Sequence, residues 1–181
     1  MDIRIRIGEG DDDIPPLQWD TVWNPERGEA DWALADPDEA RNAGGLRAKS
    51  AIATAVLLAL FSDRRCPENH PLRYLADSDP RGWWGDGIDV REGDGETELG
   101  SLLWLLERAP LMAGDTERWA VSLAQEALAP LVAQGACARI DVSAQADEIK
   151  NRIELFVALY ARDGQRIYDR RFEVLWRQIG A

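Results

Sequence analysis

An α+β domain is the fold class this chain predicts, with an antiparallel or mixed sheet from an N-terminal hairpin and C-terminal strands packed against about three helices. Three observations carry the prediction. Residues 138–144, 149–159 and 167–176 place apolar side chains with the period of two that marks half-buried strands. Residues 46–62 and 116–134 are apolar at helical spacing and contain no glycine. The strand-like and helix-like segments are also segregated along the chain instead of alternating, which points away from a parallel α/β sheet. With 181 residues there is room for one sizeable core.

Taken in order, Ile3, Ile5 and Ile7 alternate with Asp2, Arg4 and Arg6 as in a half-buried strand. Asp11-Asp12-Asp13 and Pro15-Pro16 then form a stiff, solvated connector. Residues 1–16 are therefore set apart as an N-terminal strand and acidic connector, and residues 17–181 are expected to form a single domain. The start of the chain has no continuous apolar run with a small-residue cleavage site, which predicts synthesis and retention in a reducing cytoplasm. Between Leu17 and Ala35, two aromatic segments flank Asn24-Pro25-Glu26-Arg27-Gly28, whose Pro and Gly punctuate a hairpin turn. Leu46–Ser62 is the central helix; its core, Ala51–Phe61, is interrupted only by Thr54 and is too short for the roughly 20 residues of a membrane span.

Residues 63–100 are the least regular. Pro67, Pro71 and Pro80 break them, six glycines lie between Gly82 and Gly100, and Trp83 and Trp84 stand side by side. A loop of this length carrying adjacent tryptophans predicts an ordered, partner-facing segment. Leu99–Ala109 reads as a short helix that buries Leu102, Leu103, Trp104, Leu105 and Leu106 and ends before Pro110. Asp115 is the expected N-cap of a helix over Thr116–Gln134, with a stripe of Ala120, Ala124, Ala127 and Leu131, a kink at Pro130 and a stop at Gly135. Three strands follow. Ala138, Ile140, Val142 and Ala144 line the first; Ile149, Ile153, Leu155, Val157 and Leu159 line the second; Tyr168, Phe172, Val174 and Trp176 share a face of the third, after an Asp163-Gly164 hairpin turn.

Composition excludes several function classes. With 21 basic and 33 acidic groups the net charge is −12, which disfavours nucleic acid and anionic membrane surfaces as partners. Cys66, Cys137 and the single histidine, His70, are too few and too scattered for a disulfide framework or a soft-ligand metal site, so no metal or cofactor is expected. The glycines of residues 82–100 have neither Walker spacing nor a lysine. A Ser or Cys nucleophile would depend on His70 alone, which sits between Asn69 and Pro71 as in a surface turn. Asp86, Asp89, Glu92, Asp94 and Glu96 crowd one loop, where mutual repulsion favours exposure or a basic partner over a desolvated acid/base pair. The rival class is a peptidoglycan glycosidase using Asp86 and a second loop carboxylate, since a sugar cleft also favours tryptophan.

Eight tryptophans are the positive signal: Trp19, Trp23, Trp32, Trp83, Trp84, Trp104, Trp119 and Trp176. Trp104, Trp119 and Trp176 are expected to fill the core. For Trp83-Trp84 two readings stand: one ring anchors inward while the other is presented beside Arg81 as a hot spot, or both fill the core behind a local Arg81–Asp86 pair. The first makes the loop a contact organ.

Three runs, Leu60-Phe61-Ser62-Asp63-Arg64-Arg65, Arg81-Gly82-Trp83-Trp84-Gly85-Asp86 and Gly100-Ser101-Leu102-Leu103-Trp104-Leu105-Leu106-Glu107-Arg108, together resemble the Mu-type phage baseplate protein family. Weaker pieces of the same resemblance, from Gly28–Trp32 to Ala138–Ser143, extend it over roughly residues 17–178. The resemblance implies a non-enzymatic, structural component of a contractile-tail baseplate, in a phage or prophage, similar in role to the small wedge protein of T-even phages. It implies that the partners are other baseplate proteins and tail tube, sheath or hub components, with several copies in a six-fold baseplate. The implied location is the virion tail, after synthesis in the host cytoplasm. Within that frame Arg64, Arg65, Arg81, Trp83, Trp84 and Asp86 are the candidate partner-binding residues.

Overall fold

The computed structural model describes residues 21–24, 29–32, 34, 51–83, 85, 87–88, 90–109, 115–147, 149 and 152–174. The chain divides into two compact units, residues 1–57 and 58–181. The strand expected at Ile3–Ile7 and the acidic connector lie outside the described residues.

In the first unit, β1 (Thr21–Asn24) and β2 (Glu29–Trp32) form the expected antiparallel hairpin, with Thr21 opposite Trp32 and Asn24 opposite Glu29. It is a two-stranded sheet of its own. Helix α1 (Ala51–Phe61), whose residues from Leu58 on belong to the second unit, is made almost wholly of Ala, Leu, Ile and Val; Thr54, Val56, Leu57, Ala59 and Leu60 are buried, as an all-round apolar helix demands.

The second unit holds the main sheet. Strands β3 (Arg139–Asp147), β4 (Arg152–Tyr160) and β5 (Arg166–Val174) pair antiparallel in that order, so the fold is α+β. The register runs from Arg139 opposite Tyr160 to Asp147 opposite Arg152, and from Ile153 opposite Val174 to Leu159 opposite Tyr168, with an irregularity between Leu159 and Tyr160. The period-two alternation sends Ile153, Leu155, Val157 and Leu159 to one face, where all four are buried with Tyr168 and Phe172. Helix α2 (Asp115–Ala133) lays Ala120, Leu123, Ala124, Ala127 and Leu128 against β3 and β4. The helix runs through Pro130, and Gly135, at φ +76°, follows its end in the left-handed conformation. Glu117 of α2 accepts a 2.6 Å hydrogen bond from the Ala146 N–H, tying the helix to β3.

Two expectations change. Ile149 is not part of the buried stripe: it sits in the turn between β3 and β4 and is 98% exposed. Its spacing of four from Ile153 keeps the strand's phase, but β4 begins only at Arg152, so the alternation does not extend back to it. The apolar segment expected as a short helix over residues 99–109 is a 3-10 helix, Leu103–Arg108, preceded by a bend at Gly100 and a bridge residue at Ser101.

Candidate functional site: a junction of three motifs

The loop between α1 and the 3-10 helix is anchored where α1 ends. Asp63 and Ser101 form a parallel bridge: the Ser101 N–H donates to the Ser62 carbonyl at 2.9 Å and the Arg64 N–H to the Ser101 carbonyl at 3.0 Å. Ser101 is buried, and its hydroxyl donates to the Leu60 carbonyl at 2.6 Å while accepting from the Leu103 N–H at 3.2 Å. Gly100 is required here. Its φ is +110°, and a Cβ would stand 2.5 Å from the Ser62 carbonyl oxygen.

Trp104 sits at the centre, 3% exposed. Its Nε1–H donates to the Arg64 carbonyl at 2.9 Å, and the Arg81 guanidinium lies 4.7 Å above its ring. Arg81 is the staple of the junction. It pairs with Asp63 at 3.0 Å and with Glu107 at 3.4 Å, so one side chain joins residues 18 and 26 positions away. Its own backbone is left-handed, at φ +50°, a conformation that costs a non-glycine residue about 1–2 kcal/mol. The Asp79 carboxylate accepts the Arg81 N–H at 2.9 Å and holds that turn. Arg64 reaches the other way and pairs with Glu126 on α2 at 2.5 Å. Arg65 is exposed.

Trp83 follows Gly82, itself at φ +93°, and is 42% exposed. Its ring lies flat on Gly85: a Cβ there would fall 2.2 Å from a ring carbon. Ile88 closes the same turn, its N–H donating to the Gly85 carbonyl at 3.2 Å, and is 56% exposed. Trp84, Asp86 and Asp89 lie outside the described residues, as do Trp19, Trp176 and the side chain of Trp23. Of the other tryptophans, Trp32 is 47% exposed, and Trp119 is half-buried with its ring 6.2 Å from His70.

The ionisable groups around the junction serve as structural partners. His70 Nδ1 accepts the Leu72 N–H at 3.1 Å, and burial holds the imidazole below its ordinary 6.5. Burial also pushes the Cys66 and Cys137 thiols up, so neither is a thiolate near neutrality. On the sheet, Glu154 is buried and pairs with Arg152 and Arg171. Among the described residues no three His, Cys, Asp or Glu side chains gather as metal ligands. No described helix is long and apolar enough to cross a membrane.

The structure thus brings together Arg64 and Arg81 of the sequence-predicted set, both on Trp104, while Trp83 lies against Gly85 in the turn that follows. Sequence reasoning missed Asp63, Glu107, Ser101 and Glu126 as their partners. Asp63, Ser101 and Glu107 stand inside the same motifs, but their pairing across a long irregular loop has no local periodicity to announce it.

No curated protein and no solved structure matches the chain. The family model described as phage protein GP46 matches residues 52–166, a span that takes in all three motifs of the junction. The chain belongs to the phage protein GP46 family.

Proposed function

We propose that this phage protein is a structural component of a contractile tail baseplate, a wedge-type protein that joins neighbouring baseplate proteins during tail assembly. The observation that carries the reading is the convergence of the three motifs on one hydrogen-bonded junction inside the family-matched region. The junction carboxylates support a scaffolding role. Asp63 and Glu107 are engaged by Arg81, and Glu126 by Arg64, so each is committed as an acceptor to a fixed cation. These three therefore do not supply the free carboxyl that a glycosidase needs to carry a proton to a leaving group.

Deleting the coding sequence from an inducible lysogen tests the role. The expected result is full heads with tails that lack baseplates or sheath, restored by the gene in trans. Normal, infectious particles would overturn it. A second arm addresses the rival class: the purified chain should leave a cell-wall suspension turbid, and clearing that is lost in Asp86→Asn would establish an enzyme instead.

A further inference from the structure

The turn that carries Trp83 has features the junction does not use. Trp83 and Ile88 flank Gly85, which is itself buried although it lies in an exposed loop. One face of the indole covers Gly85 while the residue stays 42% exposed, and Ile88, bonded to the Gly85 carbonyl in the same turn, is 56% exposed. The seat is tailored: any side chain at position 85 would collide with the ring. Upstream, two successive left-handed residues, Arg81 and Gly82, aim the segment, and Arg81 is fixed by two carboxylates and the Trp104 ring. The aromatic is therefore pre-positioned, which lowers the ordering cost of binding.

The surroundings of this apolar pair are acidic. The Glu98 carboxylate lies 3.9 Å from the Cβ position of Gly87, inside the same turn. Glu92, Asp94 and Glu98 are exposed and make no ion pair among the described residues. Over residues 86–98 the sequence has six acids (Asp86, Asp89, Glu92, Asp94, Glu96, Glu98) against one base, Arg91, so this loop carries five of the twelve net negative charges. Acid of this density repels nucleic acid and anionic lipid, and it complements a cationic rim.

We infer that Trp83 and Ile88 form the anchor of a docking surface for a basic protein partner, one that offers an apolar pocket rimmed by lysine or arginine. The inference rests on the baseplate reading and adds to it which surface makes a contact and the chemistry of what it meets. The apolar pair supplies the desolvated centre and the acidic loop the polar ring around it.

The test places a photo-crosslinking residue, p-benzoylphenylalanine, at position 83 of the full chain and assembles it into particles. The expected adduct is a peptide of another particle protein in which Lys and Arg outnumber Asp and Glu. Trp83→Ala and Ile88→Ala should each lower incorporation at least tenfold while the melting temperature stays within about two degrees, as for a surface change. Glu98→Lys should also lower it. Adducts to an acidic peptide, to a second copy of this chain or to a glycan strand would overturn the inference, as would wild-type incorporation of Trp83→Ala. If an unsubstituted chain is absent from purified particles, the baseplate reading itself fails; if it is present and Trp83→Ala enters equally well, only the docking surface fails. Should Trp83→Ala unfold, Trp83→Leu separates the roles, since it keeps apolar bulk and is expected to fold yet incorporate poorly; a Leu variant that incorporates normally counts against an aromatic anchor.

Discussion

The α2/β3–β5 layer and the motif junction hold their shapes by different means. In the layer, identity is repetitive: Ile153, Leu155, Val157 and Leu159 do one job four times, and the ladder between β3, β4 and β5 satisfies the backbone. In the junction nothing repeats. One serine hydroxyl, one indole N–H and one guanidinium each satisfy groups from distant parts of the loop. A periodic layer loses stability gradually when altered, whereas a junction of single-use contacts depends on each member.

The largest expected effect tests the second half of that contrast. Trp104→Ala should destabilise by about 3–5 kcal/mol in denaturant unfolding, the loss expected for a buried large aromatic. Trp104→Phe should recover much of it yet leave the Arg64 carbonyl without its donor. An unchanged midpoint for the Ala variant would show that the junction does not bear on folding. Leu159→Ala, at a fully buried position of β4, is expected to cost about 2–5 kcal/mol, with neighbouring stripe residues limiting the cavity.

Ser101→Ala removes only an oxygen but leaves the buried Leu103 N–H without an acceptor, so about 1–3 kcal/mol should be lost. A loss below about 0.5 kcal/mol would mean that the apolar contacts alone fix the junction.

Titration distinguishes the two regions further. In the sheet, Arg171, with Arg152 beside it, holds the Glu154 carboxyl below its ordinary 4.5 against the opposing push of burial. Its contribution is full above that ordinary value and is lost as pH falls through the depressed folded one; Glu154→Gln should flatten stability against pH only in this acidic window. In the loop, burial favours neutral His70, whose Nδ1 must stay unprotonated to accept the Leu72 N–H. Its contribution is present above the ordinary 6.5 and is lost as pH falls from there through the lowered folded value, so His70→Asn should remove the slope that lies between these two values and leave the more acidic one. A single slope, removed by neither substitution, would contradict both assignments. The smallest effect is expected at Ile149→Ser, within about 0.5 kcal/mol, because the side chain is 98% exposed.

The same contrast explains what was legible in the sequence. Alternation located β3, β4 and β5, Asp163-Gly164 marked their turn, and apolar helical spacing located α1 and α2, because backbone geometry imposes those periods. Ile149 misled because a turn residue chanced to continue an apolar series. The junction was legible only as motifs: Trp104 could be placed in the core from its leucine neighbours, but the bonds of Arg81 to Asp63 and Glu107 join residues whose separation follows no period. Gly85 could be read as a turn residue, not as the seat of an indole.

The most direct measurement is a side-chain-resolution reconstruction of the intact tail particle. The account predicts that the α2/β3–β5 fold occupies density in the baseplate ring, with Trp104 buried in the junction and the Trp83 turn against a neighbouring protein. Baseplate density fully accounted for by other chains, or this fold located in the head, would contradict it.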